Sequence, residues 1–196
     1  ALKNYSLHQN PYAGSTHPRT AGNGSIMRLA PIPLYYLLSL EQTIHFAGES
    51  SRTTHGSEEA VESAKLFAVL IRMALLGHDK QEILFKNEYY SNTATVNALA
   101  QGDYLVKEEK HIKGSGYVIE SLEAALWCFA RTDSFEQAVL KAVNLGDDAD
   151  TTAAIVGQIA GAYYGVSAIP SSWLKKLYNV EFIRGLAVSF FSNQET

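Results

Sequence analysis

Five residues early in the last third of the chain carry the densest chemistry in the sequence. Asp147, Asp148 and Asp150 place three carboxylates within four positions, and Thr151 and Thr152 add two hydroxyls at once. Gly146 stands just before them and can close a preceding helix, while Ala153, Ala154 and Ile155 open an apolar run that reads as a new helix. Two chemistries fit that placement. One is an acidic helix N-terminus, where carboxylates accept from free N–H groups and sit well in the helix dipole. The other is a hard-cation site, because oxygen-only ligands suit Mg²⁺ or Mn²⁺. A single capping side chain suffices for the first, and three clustered carboxylates bring a repulsion that a cation would relieve.

Two glycine-rich stretches could frame a ligand. Gly22-Asn23-Gly24-Ser25 precedes Ile26-Met27-Arg28, and Gly114-Ser115-Gly116-Tyr117 feeds a helical pattern. Glycines let backbone N–H groups converge on an anion, and a helix beginning just after the first stretch would add its dipole; the same residues also make an ordinary turn. Arg28 can pair with a phosphate or with a carboxylate at the edge of the core. Tyr117 can stack on a flat ring or pack against its neighbours. His55 follows Thr54 directly before Ser57, and no second His or Cys lies at zinc spacing from it. Cys128 falls on an apolar helical face and reads as core. The chain contains no nucleophile elbow, no P-loop and no dinucleotide fingerprint.

The elements that must hold these residues are helices. Ser57 with Glu58 and Glu59 reads as a helix start, Val61, Ala64, Phe67, Ala68, Ile71 and Leu75 as its stripe, and Gly77 as its end. A second helix runs from Tyr117 to about Arg131 on Val118, Leu122, Ala125, Leu126 and Phe129. A third runs from Ser134 to Gly146, a fourth from about Asp150 to Tyr164, and a fifth from near Ser172 towards Phe190 with a break. Shorter helices are expected over 31–40 and 41–48. Ala153, Ala154, Gly157, Ala160 and Gly161 make the fourth helix thin, which predicts close packing against its neighbours. Alternating strand patterns are scarce, so the fold class is all-α, with loop over 1–25 and parts of 87–117.

Composition agrees with one soluble domain over 1–196. Hydrophobic residues make up 46% of 196 and charged residues 18%, which excludes a disordered chain. The net charge of −4, from 16 basic and 20 acidic residues, disfavours extended nucleic-acid binding. No apolar stretch reaches the roughly 20 residues of a membrane span, no export signal is visible at Ala1, and the lone Cys128 excludes an internal disulfide. The cytoplasm is the expected compartment.

Taken in order and separation, Gly22 to Arg28, Thr54-His55, Gly114 to Tyr117 and Gly146 to Thr151 resemble the ADP-ribosylglycohydrolase family, which includes the dinitrogenase-reductase-activating glycohydrolases. The resemblance implies a compact orthogonal all-α bundle holding two Mg²⁺ or Mn²⁺ ions. The family motif Gly-Gly-Asp-x-Asp-Thr falls on Gly146 to Thr151, which implies Asp148, Asp150 and Thr151 as metal ligands, with Asp147 replacing the second glycine. It further implies that Gly22, Asn23, Gly24 and Ser25 lie along the diphosphate and ribose of ADP-ribose, that His55 lines the pocket near the metals, and that Gly116 and Tyr117 border the ribose or adenosine. Family members also carry a Gly-Asp-rich first helix with an acidic residue and a Thr-Asp-Asp-Thr motif. Neither occurs here, and Asp79 and Asp103 are isolated. The chain is therefore expected to be the C-terminal two-thirds of a complete domain, with the general acid or base supplied by an N-terminal part or a second chain. The implied activity is metal-assisted cleavage of the C1″ glycosidic bond of an ADP-ribosylated protein or a small-molecule ADP-ribose conjugate. A non-catalytic ADP-ribose-binding homologue of the same fold is the alternative, and a metal-dependent phosphohydrolase is a third.

Overall fold

The computed structural model describes residues 1–192. Its α-helices, in chain order, are α1 (Leu2–His8), α2 (Pro31–Tyr35), α3 (Leu40–Arg52), α4 (Glu58–Leu75), α5 (Lys80–Phe85), α6 (Ala94–Gln101), α7 (Val118–Ala130), α8 (Phe135–Asn144), α9 (Ala149–Tyr164), α10 (Ser171–Leu174) and α11 (Val180–Ser192). Among the described residues there is no strand, only two isolated bridges, Ser15 with His55 and Gly22 with Tyr117.

The expected stripes form the core. Val118, Leu122, Ala125, Leu126 and Phe129 of α7 are buried, as are Val61, Ala64, Phe67, Ala68 and Ile71 of α4. Burial goes further than one stripe, however, because Leu66, Val69 and Leu70 on the rest of α4 are also inside. Helix α4 is therefore the central element, with α3, α7 and α9 laid against it. A fully wrapped helix reads as amphipathic only if its apolar residues are limited to one face, which α4 does not obey. Gly77 (φ +83°) ends this helix as expected. Ser134 caps α8 by accepting from the Gln137 N–H, whereas the Ser57 hydroxyl is buried without a partner.

Two sequence expectations are corrected, and a third holds for a different reason. Residues 2–8 form α1 rather than loop, with every side chain exposed. The turn after Gly22 continues as a 3₁₀ helix over Asn23–Arg28, so no α-helix N-terminus follows the glycines directly. Helix α9 lies against α4, α7 and α8, but its two glycines are not what lets these helices approach. A Cβ at Gly157 would meet open space and one at Gly161 would make only an ordinary contact with Phe135 at 3.8 Å. Its buried face is Thr152, Ile155, Val156, Ile159 and Ala160. Gln158 does the positioning: its Oε1 accepts from the Ala30 N–H at 2.7 Å and its Nε2 donates to the Ile26 carbonyl at 2.9 Å. The glycine turn is thereby tied to the helix that follows the acidic cluster.

Gly146 and Asp147 take consecutive left-handed conformations, φ +77° and +57°. That backbone favours glycine, and an aspartate there costs up to about 1 kcal/mol, partly offset by its lower freedom in the unfolded chain. Asp147→Gly is expected to raise stability by about 0.5 kcal/mol in a denaturant titration. A loss of stability would show that the Asp147 side chain does more than occupy the turn.

Candidate functional site

Asn23 is the residue on which the separate motifs meet. It is 8% exposed, and the backbone places its side-chain amide between three segments. Nδ2 donates to Asp148 Oδ2 at 2.7 Å and to Ser121 Oγ at 2.7 Å, and it lies 3.4 Å from the Ser115 carbonyl. The backbone repeats the connection. The Asn23 N–H donates to the Gly116 carbonyl, the Val118 N–H to the Ala21 carbonyl, and the Asp148 N–H to the Gly114 carbonyl. The first glycine stretch, the second glycine stretch and the acidic turn therefore form one bonded unit. The Asn23 N–H is spent on Gly116, so it is not one of a row of free donors awaiting an anion.

The Asn23 bond holds the Asp148 carboxyl below the usual carboxylate range. Burial opposes this, and Thr151 and Asp150 at the same turn assist it. Asp148 is ionised at neutral pH. Asp150 and Thr151 stand with it in the first turn of α9, while Asp147 is exposed on the left-handed residue before. The three carboxylates clustered in sequence do not converge: among the described residues, no group of three or more His, Cys, Asp or Glu side chains is placed to hold an ion. What the turn presents is two carboxylates and a hydroxyl. That all-oxygen set fits part of a hard-cation shell, though it falls short of the six ligands such an ion takes.

His55 explains the glycines of the first stretch. A Cβ at Gly24 would sit 2.7 Å from Cε1 of the His55 ring, and one at Gly22 would sit 3.3 Å from Cδ2 and Nε2. The turn packs against the imidazole, and a side chain at Gly24 would have to push the ring aside. The ring is held by its Nδ1 contact with Thr54 Oγ1 at 2.8 Å. Burial first, and then the Arg28 guanidinium, depress its pKa, so the ring is neutral at pH 7. Arg28 itself meets neither a phosphate nor a carboxylate. Its guanidinium is bonded to Ser50 Oγ and carbonyl, Thr53 Oγ1 and Thr54 Oγ1. It ties the α3–α4 connection to the glycine turn. Ser25 is 1% exposed and its hydroxyl has no partner, so it lies beneath the turn rather than on its surface.

Gly22, Gly116 and Tyr117 line a cleft of about 570 Å³ together with Arg19, Thr20 and Glu59. That volume is in the range of small-molecule sites. Tyr117 donates its hydroxyl to Glu59 Oε2 at 2.7 Å, and Thr95 donates to Glu59 Oε1 at 2.8 Å. Burial and the bond to Glu59 push the phenol pKa up, so Tyr117 stays protonated. Arg19 and Glu59 are the lining residues that sequence reasoning missed. Neither belongs to a motif, and only the turn over Pro18–Thr20 and the start of α4 bring them to the same cleft. A larger open cleft of 880 Å³ along α3 contains none of the nominated residues, and its lining charges Arg52 and Lys65 are already paired with Glu49 and Glu62 at 2.7 Å. Cys128 is buried in α7, its thiol pushed up to about 12 by burial, as suits a core residue. No helix among the described residues is long and apolar enough to cross a membrane.

The ADP-ribosylglycohydrolase family model matches residues 1–196. The chain is 39% identical to the ADP-ribosylarginine hydrolase Tri1 of Serratia proteamaculans, over 97% of this chain and 52% of that protein. It is 31% identical to the ADP-ribosylhydrolase ARH3 of Bos taurus, over 86% of this chain and 56% of that protein. A solved structure described as an ADP-ribosylglycohydrolase-related protein complex superposes with a TM-score of 0.86 at 39% identity, covering 97% of this chain and 66% of the other. The chain thus spans about half the length of these two relatives. With a family match along its whole length and an all-α bundle that superposes on a family structure, the chain belongs to the ADP-ribosylglycohydrolase family.

Proposed function

We propose that this chain supplies the ADP-ribose-facing half of a hydrolase that removes ADP-ribose from a modified acceptor, with arginine as the first acceptor class to test. The observation that carries the reading is the Asn23–Asp148 bond, which joins both glycine stretches and the acidic turn beside a cleft of nucleotide size. The arginine acceptor is suggested by the name of the 39% identical Tri1 relative. In the overall reaction, water adds across the bond between C1″ and the acceptor nitrogen, giving ADP-ribose with a hydroxyl at C1″ and a free guanidine.

In this reading Asp148, Asp150 and Thr151 hold a divalent cation, Mg²⁺ or Mn²⁺, at one edge of the cleft, with its remaining ligands coming from elsewhere. When bound, such an ion would orient the substrate through its hydroxyls and make a bound water more acidic. The chain's own residues fix the rest. Asn23 keeps Asp148 ionised and aimed, the neutral His55 ring fills the space behind Gly22 and Gly24, and Gly116 with Tyr117 forms the opposite lip.

The test compares melting of the parent chain and of Asp148→Asn/Asp150→Asn with and without millimolar Mg²⁺ or Mn²⁺. If the ion reaches 100 times its dissociation constant, the parent should gain about 2.7 kcal/mol and the variant nothing. Equal shifts in the two proteins would overturn the ligand assignment. Release of ADP-ribose from ADP-ribosylarginine checks the activity separately.

A further inference from the structure

We infer that Arg19 is the cation that positions the diphosphate of the ligand in the cleft between the two glycine stretches. The inference rests on the ADP-ribose reading given above and adds to it a residue outside every motif. Any ligand with a diphosphate brings two negative charges into a partly enclosed space, and a fixed cation is the ordinary means of holding them. Arg28, the cation that follows the first glycine stretch in sequence, is unavailable. Four oxygens of the 50–54 segment already occupy its guanidinium.

Arg19 is differently placed. Among the described residues it is the only Arg or Lys lining this cleft, where it shares the wall with Thr20, Gly22, Gly116 and Tyr117. Its guanidinium takes part in no ion pair among the described residues. Its backbone is nevertheless fixed: the Arg19 N–H donates to Nδ1 of His17 at 3.1 Å, the Thr20 hydroxyl donates to the His17 carbonyl at 2.6 Å, and Pro18 sets the start of the 3₁₀ turn. A free planar donor on a braced turn is suited to a forked bond with phosphate oxygens. The cleft is also polar in a defined sense. Glu59 is held in the same lining by Tyr117 and Thr95, and it has no cation partner among the described residues. A carboxylate there repels a diphosphate, so the cleft favours a ligand whose anionic middle lies against Arg19 and away from Glu59.

The test titrates ADP-ribose and adenosine, in Mg²⁺ buffer at low and high salt, into the parent chain, Arg19→Gln and Arg19→Lys. Arg19→Gln should weaken ADP-ribose about tenfold at low salt, with the loss shrinking at high salt, and should leave adenosine unchanged. Arg19→Lys should recover part of the affinity, since it keeps the charge and loses the fork. Melting temperatures should not differ, because the side chain holds no part of the fold. ADP-ribose binding to Arg19→Gln within twofold of the parent would overturn the inference, and so would an equal loss of ADP-ribose and adenosine. A parent chain that binds adenosine but not ADP-ribose would overturn it too. A parent that binds neither would reject the ADP-ribose reading itself, and this inference with it.

Discussion

Asn23→Ala is expected to destabilise the chain by about 3 kcal/mol, because it removes a charge-assisted bond and a second buried bond at one stroke. The Asp148 carboxylate would lose the donor that chiefly lowers its pKa, and the Ser121 hydroxyl would lose a side-chain partner. A denaturant titration reads the loss directly, and a change under 1 kcal/mol would mean that water replaces the amide without cost. Asn23→Asp separates charge from shape. It sets a second carboxylate 2.7 Å from Asp148. The pair cannot both ionise cheaply, so one of them takes a folded-state pKa above its unfolded value. The sign follows. The variant is closest to the parent in acid and falls further below it as pH rises through the carboxylate range. A divalent ion at this turn would narrow the gap at neutral pH, which links this variant to the metal test.

Gly14→Ala is expected to cost at least about 3 kcal/mol and to lower the melting temperature by roughly 6–12 °C. The new Cβ would stand 2.5 Å from the His55 nitrogen, 2.6 Å from the Thr54 carbonyl carbon and 2.7 Å from the Gly56 nitrogen. All three are backbone atoms, so no side-chain rotation relieves the overlap. The segment must shift, and with it the Gly56 N–H bond to Ser15 and the Gly14 N–H bond to Arg52. His55 would move too, which makes ligand affinity fall alongside stability. Gly157→Ala is the control. A Cβ there meets nothing within 4 Å in a helix, so it should be neutral or stabilising by up to about 1 kcal/mol. Similar losses in both variants would contradict the backbone-overlap account.

The helices that position the site were legible because their boundaries are written locally. The acidic start and the glycine end of α4, the Ser134 cap of α8, and the stripe of α7 each depend on residues within a few positions. Helix α1 was not legible, since it buries nothing and has no apolar stripe to read. At the site, the residue types were legible and their partners were not. Gly22 and Gly24 allowed a turn or an anion cradle, and the contact that decides their role comes from His55, more than 30 residues later. Arg28 could be seen as a cation, but its fate depends on the 50–54 segment. Arg19 carried no signal, and Glu59 was legible only as part of a helix start, because a cleft wall has no periodicity.

The bond between Asn23 and Asp148 spans 125 positions in sequence. During synthesis at about 5–20 residues per second, Asn23 would leave the ribosome roughly 6–25 s before its partner. Through that interval the glycine turn has no acidic segment to close upon, whatever helices have already formed. The joint between the glycine turn and the acidic turn can therefore close only after α7 and the residues up to Asp148 have been synthesised.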